Sequence, residues 1–546
     1  MINLNFYCDK DFSLKSIYSP KVFLWTIALS CFLSIGLRAQ SVRFKAPTST
    51  DLQYQLDSVQ PYTTLSLHGI YVPVNARNSH AQAIRFVNRT VLRFRYNAND
   101  INLQAGLKLN TPLKEMDTLY VYGPKGLVDV LHLNNQPKDY WLSEPSSDSM
   151  IIELVTHEES APQIEIEEIL LSPINRALAK TSDFGDSESC QVNTACSERA
   201  GYENQIGSVV RILVRINNLA GWCSGTLLNN TSYTYEPFIL SAEHCGLFNN
   251  NFASATDLNR WVFYFNYQSP TCANPANEGS LANQQLTGAT LLARSDDEGG
   301  ETGSDLLLVE LNNAIPFSSV YYAGWNRSTN NPQNGVGIHH PAGDLKKIST
   351  MQGTAINGAF GTNANSTHWL VNWAPTANGF GTTEEGSSGS PIFDENGLVT
   401  GMLTGGASSC SNTSGLDYYG KFSYGWRSNG SAANRQLQPW LDPTNTGVLA
   451  LPGAYFGDQP PADTTTIDFG PNPTSGLIYF NGLGSVSEPA QIDVYSLGGK
   501  LVFSNQQIIL PNTSLEIDLS NQSNGVYLIN IETAEQNHRY KVILQN

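Results

Sequence analysis

The sequence predicts an all-β protein of several domains. Three observations carry this. Short runs rich in β-branched and aromatic residues alternate with Asn, Gly and Pro turns, as in Thr90-Val91-Leu92-Arg93-Phe94-Arg95-Tyr96. Charged residues make up only 14% while Gly and aromatic residues are plentiful, a composition of β-rich extracellular chains rather than helical cytosolic ones. Six of the eight cysteines fall in one central stretch, from Cys190 to Cys410. With about 150 residues per domain as a guide, the length corresponds to about three or four units. The net charge of −17 argues against nucleic acid or an anionic membrane as partner.

Taken in order, residues 1–39 read as an export signal. Lys10, Lys15 and Lys21 precede the apolar run Val22 to Leu37, and Ala39 offers a small residue for cleavage before Gln40. The run is short for a membrane span. Cys31, after Ala28-Leu29-Ser30, leaves a lipoprotein reading open. Residues 40–184 carry short alternating strands, no cysteine and no clustered catalytic set. Tyr140-Trp141 and Met150 to Leu154 fit a β-sandwich edge, and Glu165 to Glu168 reads as a solvated charge run. This stretch is a plain β domain that can serve as a removable prosegment. In residues 185–443, Ser208 to Ile216, Arg260 to Tyr267, Leu286 to Arg294 and Asp305 to Leu311 read as strands. Asp394-Glu395-Asn396-Gly397 reads as a hairpin turn. So many short strands in one block suggest barrels or a sandwich, and Asn434 to Leu441, with Leu437, Trp440 and Leu441 at helical spacing, closes it as a short helix. A Pro/Thr-rich linker, 444–466, follows. Residues 467–546 hold further strands around the turn Ser496-Leu497-Gly498-Gly499.

The chemistry centres on Gly386-Ser387-Ser388-Gly389-Ser390-Pro391. A serine hydroxyl needs a base to become a nucleophile, and a small-residue loop lets backbone N–H groups reach a developing oxyanion. On its own this stretch is a common turn. Upstream, however, Phe238-Ile239-Leu240-Ser241-Ala242-Glu243-His244-Cys245 runs from an apolar strand into a histidine. A bridge from Cys245 to Cys223 would pin the His244 loop to the preceding strand, the fixity that a general base needs. Asp305 heads the apolar strand Leu306-Leu307-Leu308-Val309, where a carboxylate needs a partner. An imidazole N–H is a suitable one and would set the tautomer that accepts the serine proton. In an exported chain the six cysteines read as three disulfides; from the residues alone their connectivity is open. Zinc is the alternative, without a Cys-x-x-Cys pair to favour it. His339 and His340 point to opposite faces of a strand and read as structural rather than metal-binding.

With these residues in view, 185–443 resembles the trypsin-like serine proteases of chymotrypsin fold, and among them the bacterial lysyl endopeptidases. The motifs are Leu240-Ser241-Ala242-Glu243-His244-Cys245, Ser304-Asp305-Leu306-Leu307-Leu308-Val309-Glu310-Leu311, Gly337-Ile338-His339-His340-Pro341 and Gly386 to Pro391, extended by Gly405-Gly406, Ser408-Ser409-Cys410 and Asp417-Tyr418-Tyr419-Gly420. The resemblance implies a double β-barrel with His244 as base, Asp305 as its orienter, Ser388 as nucleophile and the N–H groups of Gly386 and Ser388 as oxyanion hole. It implies bridges Cys190–Cys410, Cys196–Cys272 and Cys223–Cys245, and neither metal nor cofactor. Asp417 matches the aspartate that faces a basic P1 side chain, in a pocket with Trp373, Thr404, Gly405 and Gly406. Thr404 departs from the family, which has a histidine before the Gly-Gly pair; the accompanying tryptophan is matched by Trp373. Strict Lys selectivity therefore stays open against Lys and Arg together. Ser387 replaces the aspartate that pairs with a new N-terminus in digestive zymogens. The N-terminal arm is therefore expected to be held by Cys190–Cys410, with cleavage after Lys180 or just before Gly185 serving to remove the prosegment.

Residues 467–546 resemble the C-terminal sorting domains of type IX secretion substrates, through Pro471-Asn472-Pro473-Thr474-Ser475-Gly476, Val494 to Lys500 and Asn524 to Ile529. This implies a small Ig-like β-sandwich read by the secretion machinery; an ordinary surface-binding sandwich is the alternative. The expectation is a monomeric, exported or cell-surface serine endopeptidase acting on proteins or peptides after Lys, with Arg open. The competing classes are a non-catalytic surface adhesin on a protease scaffold and a serine protease of different P1 specificity. The intact His244, Asp305 and Ser388 argue against the adhesin.

Overall fold

The computed structural model describes residues 49–60, 65–77, 81–85, 89–97, 101–109, 117–123, 126–132, 139–141, 149–157, 163–173, 187–275, 284–362, 366–458, 468–481, 488–510, 514–533 and 537–545. The expected export signal, the cleavage residues Lys180 and Gly185, and linker residues 459–466 lie outside them. Contacts divide the chain into two units: Met1–Val59 with His68–Ala179 and Asn218–Ala220, and Gln60–Leu67 with Lys180–Asn217 and Gly221–Asn546.

Among the described residues, the first unit is β-rich with one helix. Strands Ser66–Arg77, Ile164–Pro173, Ile101–Leu109 and Asp139–Trp141 are neighbours in one sheet, and Gln82–Arg85, Thr90–Asn97, Ser149–Thr156, Thr118–Gly123 and Gly126–His132 in another. Along Ser149–Thr156 half-buried and buried residues alternate, the period-2 pattern of a strand with one face inward. Two details differ from the sequence reading. Ser49–Val59 is a helix that buries Leu52 and Leu56, one turn apart on one face. The acidic run is not a solvated face: Glu165 and Glu168 are buried in strand Ile164–Pro173, and Glu165 Oε1 takes Arg77 Nε at 3.0 Å.

The second unit holds two barrels and a sandwich. In the first barrel the strand order is Gln284–Thr287, Val262–Phe265, Val209–Ile216, Leu219–Leu228, Phe238–Ala242, Leu306–Leu311, Ala289–Arg294. Leu286 to Arg294, which reads as one strand, is bent at Gly288. Its φ of +90° is open to glycine, and the two halves pair with the two ends of the sheet, which closes the barrel. Continuous apolar runs are explained by burial on both faces. Ile239, Leu307 and Val309 point into this barrel, while Phe238, Leu240, Leu306 and Leu308 pack with Ile338, Ile348, Phe393 and Met402 of the second.

The second barrel runs Lys347–Thr350, Val336–His339, Pro391–Phe393, Val399–Gly406, Asp417–Lys421, His368–Val371, Ile356–Gly358. A bridge between Met351 and Trp373 joins the chain just past Lys347–Thr350 to the chain just past His368–Val371. Asp394 Oδ1 accepts the N–H groups of Asn396 and Leu398, fixing the expected hairpin turn. The expected helix at Asn434 to Leu441 is a single turn, Gln438–Leu441, after a 3-10 turn at Ala433–Arg435. Ala450–Leu451 and Ala454–Tyr455, assigned from sequence to the linker, pair with Trp325–Asn326 and Tyr321–Tyr322. Their short apolar pairs were too brief to read as strands. Beyond the linker, sheets Asp468–Gly470/Leu477–Asn481/Leu515–Asp518 and Leu501–Ile509/Glu488–Ser496/Gly525–Glu532/Asn537–Leu544 enclose a core with Phe480, Ile492, Ile529 and Val542. The all-β expectation holds.

Trp325 is wholly buried where the barrels meet, with Phe422 and Trp426 ring centroids at 5.6 and 4.8 Å and its Nε1 donating to Asn229 O at 3.0 Å. Trp325→Ala is expected to cost about 3–5 kcal/mol, read as a lower urea midpoint at unchanged slope.

Candidate active site

Strand Phe238–Ala242 ends in a 3-10 turn, Glu243–Gly246, that carries His244. Cys245 in that turn is bridged to Cys223 on the neighbouring strand Leu219–Leu228. Asp305 precedes strand Leu306–Leu311, which pairs with Phe238–Ala242. The pairing brings the two groups together: His244 Nδ1 lies 2.6 Å from Asp305 Oδ2, and Asp305 Oδ1 accepts the backbone N–H of His244 at 2.9 Å. Both side chains are buried. Burial works against charge on the imidazole, but the Asp305 carboxylate, together with Glu243 and Asp297, outweighs it and lifts His244 above its usual value. On Asp305 burial wins over the histidine and raises the carboxyl.

Asp305 has a φ of +57°, a conformation that strains a residue with a side chain. Asp297 holds it there. Asp297 Oδ2 accepts the Asp305 N–H at 2.9 Å and its Oδ1 accepts the Gly300 N–H at 2.8 Å. Glu243 in turn accepts from Asp297 N and Ser295 Oγ, each at 3.0 Å, and from Arg294 Nη1. It is wholly buried, and burial pushes its carboxyl up to about 7.

The Gly386 to Pro391 loop is held against the first barrel. Ser388 O accepts from Ser224 N at 2.8 Å, Gly386 O accepts from Ser224 Oγ at 3.0 Å, and Cys245 Sγ is 3.8 Å from Ser388 O. Gly389 has a φ of +78°, and a Cβ there would lie 2.2 Å from Ser241 Oγ and 2.5 Å from Ser224 O, so only glycine fits. Among the described residues the N–H groups of Gly386 and Ser388 have no intramolecular acceptor, and no hydrogen bond joins Ser388 Oγ to His244 Nε2.

Asp417 starts a strand opposite Gly406, where a Cβ would sit 1.8 Å from Asp417 Oδ1. Its Oδ2 accepts from Trp373 Nε1 at 2.6 Å, Thr383 Oγ1 at 2.7 Å and Ser408 Oγ at 2.6 Å, and its Oδ1 from Ser408 N at 3.2 Å. Trp373 therefore braces Asp417. The ring that meets Thr404 is instead His368, whose Nε2 is 3.0 Å from Thr404 Oγ1 and whose Nδ1 is 2.7 Å from Thr367 Oγ1. Burial holds His368 down to about 4, so it is neutral. Gly300 separates this pair from Asp305, its virtual Cβ 3.0 Å from Thr404 and 3.2 Å from Asp305 Cβ. His368, Asp297, Glu243 and Thr383 were not singled out in the sequence. A histidine inside the otherwise apolar strand His368-Trp369-Leu370-Val371 and a charge directly before His244 were the available signals.

The cysteines are bridged as Cys190–Cys410, Cys196–Cys272 and Cys223–Cys245. Glu188, Cys190 and Cys410 come close enough to share an ion, but both sulfurs belong to a disulfide, whose sulfurs are poor metal ligands.

Residues 184–420 match the family described as lysyl endopeptidase, C-terminal domain, and residues 469–545 match the secretion system C-terminal sorting domain. Over its central domain the chain resembles the lysyl endopeptidases. A lysyl endopeptidase of Pseudomonas aeruginosa is 30% identical over 309 residues, 53% of this chain. The chain spans 62% of that relative's length. Among solved structures, the protease Anisep of Arthrobacter nicotinovorans is 17% identical, with 39% of this chain and 90% of that one covered at a TM-score of 0.29. A Glu endopeptidase is likewise 17% identical, with 44% and 92% covered at 0.27. The sorting domain marks the lysyl endopeptidase-like chain as one exported across the outer membrane by the type IX route.

Because the Asp305 carboxylate lifts the imidazole, His244 is expected to titrate above pH 6.5 in histidine-resolved NMR, and Asp305→Asn is expected to bring its midpoint below the wild-type value.

Proposed function

We propose that this chain is a secreted serine endopeptidase with Ser388 as nucleophile, His244 as general base and Asp305 as its orienter. The observation that carries the reading is the buried hydrogen bond from His244 Nδ1 to Asp305 Oδ2, at 2.6 Å. With its Nδ1–H committed to the carboxylate, the imidazole presents a free Nε2 to the serine proton. Ser388 Oγ attacks the scissile carbonyl carbon as its proton passes to Nε2, and the oxyanion takes the unpaired N–H groups of Gly386 and Ser388. Collapse to the acyl-enzyme sends the proton from Nε2 to the departing amine. Water, deprotonated by the same nitrogen, then releases the acyl group. The separation of Ser388 Oγ from Nε2 is no obstacle, since such contacts tighten on substrate binding.

Asp417 is the proposed specificity carboxylate, with Trp373, Thr404, Gly405 and Gly406 around the pocket. Its Oδ2 is occupied by three donors, which leaves Oδ1 as the more available oxygen. A guanidinium fork needs two carboxylate oxygens side by side. An ammonium needs three separate acceptors and can use Oδ1 together with the lone pairs of Thr383 Oγ1 and Ser408 Oγ, whose protons point to Asp417. The pocket is therefore read as favouring Lys over Arg at P1. Residues 40–184 are proposed to be a prosegment removed on maturation, residues 467–546 the part read by the secretion machinery, and the mature enzyme a monomer.

Mature wild-type protein is expected to be labelled by a fluorophosphonate and Ser388→Ala is not; an unlabelled, folded mature wild type would overturn the endopeptidase reading in favour of an adhesin. In cleavage profiles of a peptide mixture, Asp417→Asn is expected to lose kcat/KM for Lys sites by about 100-fold or more while leaving the fluorophosphonate rate nearly unchanged. Lys preference that survived this change would remove Asp417 from the role.

A further inference from the structure

Ser387 lies between the two proposed oxyanion donors, and its side chain points away from the first barrel into a buried polar chain. Ser387 Oγ is 2.7 Å from His339 Nδ1, His339 Nε2 is 3.0 Å from Ser349 Oγ, and Ser349 Oγ donates to Thr382 O at 3.2 Å. At the other end Glu384 N donates to Ser387 Oγ at 3.1 Å. His339, Ser349 and Ser387 are all buried.

The chain has one consistent direction. Thr382 O can only accept, so the Ser349 proton is committed to it and Ser349 Oγ must accept from His339 Nε2–H. His339 Nδ1 is then unprotonated and accepts from Ser387 Oγ–H, while the Ser387 oxygen takes the Glu384 N–H. Each member uses its donor and its acceptor in sequence, which is the condition under which a buried polar network rigidifies its surroundings. Burial, with the Lys347 charge adding to it, holds His339 down to about 3, so the ring stays neutral through the working range.

We propose that neutral His339 is a positioning residue for the oxyanion hole: through Ser387 it fixes the peptide units that present the Gly386 and Ser388 N–H groups. Every member of this polar chain comes from the second barrel, so this brace on the loop needs neither a charged group nor a newly cut N-terminus. This inference rests on the serine endopeptidase reading.

The test uses protein expressed as the full chain and allowed to mature, carrying His339→Leu, His339→Gln or Ser387→Ala. Gln can accept from Ser387 through its carbonyl and donate to Ser349 through its amide. His339→Leu is expected to lower kcat by about 10- to 100-fold, below the cost of losing an oxyanion donor outright, with KM within about threefold. Its affinity for a peptide aldehyde, which places an oxyanion in the hole, should fall by a similar factor. Its affinity for an n-alkylamine, which fills only the P1 pocket, should not change. His339→Gln is expected to recover most of the loss, and Ser387→Ala to repeat the kcat and aldehyde effects should the leucine variant not fold. Either of the Leu and Ala variants acting within twofold of wild type, or equal loss of aldehyde and amine binding, overturns the positioning role. An inert, unlabelled wild type overturns the endopeptidase reading and this proposal with it, an outcome distinct from an active wild type with indifferent variants.

Discussion

Ser224 is the point on which the two barrels agree. It sits beside Cys223 on a strand of the first barrel, and each of its polar groups is used. Its N–H holds Ser388 O, its Oγ–H holds Gly386 O while the same oxygen accepts from His340 N, and its carbonyl accepts Ser241 Oγ–H. The first barrel thus carries the histidine and, through Ser224, sets where the serine loop of the second barrel lies. Without this tie the two halves of the proposed site would be independent bodies joined by apolar packing, which is close-packed but not directional. The Cys223–Cys245 bridge adds a covalent limit, since the same strand that holds the loop is bonded to the turn carrying His244.

Behind the histidine the structure concentrates acid. Glu243, Asp297 and Asp305 are all buried, and each is satisfied chiefly by backbone N–H groups or by Arg294, Ser295 and His244. A buried carboxylate without such partners would be protonated or would unfold its surroundings. Here the donors hold the left-handed backbone of Asp305 and leave one oxygen for the imidazole. The strain at Asp305 is therefore local and is balanced by the Asp297 contacts, so the orientation of His244 depends on residues two steps from the reacting atoms.

The all-β class was legible because it rests on local signals, period-2 runs between turn residues. A histidine at a strand end, a carboxylate heading an apolar strand and a glycine-flanked serine pointed to the proposed site in the same way, while the double barrel came from the family resemblance. What stayed illegible depends on contacts distant in the chain. The bend at Gly288 has meaning only once both edges of the barrel are known. Asp297 looks like one more loop aspartate until Asp305 adopts a positive φ. The exchange of partners, with Trp373 on Asp417 and His368 on Thr404, depends on how Asp417–Lys421 pairs with His368–Val371 on one side and Val399–Gly406 on the other, which no linear spacing encodes. The helix Ser49–Val59 was missed because two leucines one turn apart are a weak pattern in a β-rich setting.

The oxidising setting implied by export reaches the proposed specificity pocket through Cys190–Cys410. Cys410 lies two residues after Ser408, whose Oγ and N–H both bind Asp417, and Glu188, two residues before Cys190, accepts the Cys410 N–H at 2.9 Å. The bridge spans 220 residues of sequence, tying the N-terminal arm to the pocket rim. Gln191 Nε2 in the same arm donates to Thr382 O, next to Thr383 on Asp417 and at the end of the His339 chain. The arm, the pocket carboxylate and the oxyanion loop therefore share one hydrogen-bonded seam closed by a disulfide. In a reducing compartment that seam would lose its covalent closure, so the proposed P1 recognition is built to be complete only after export.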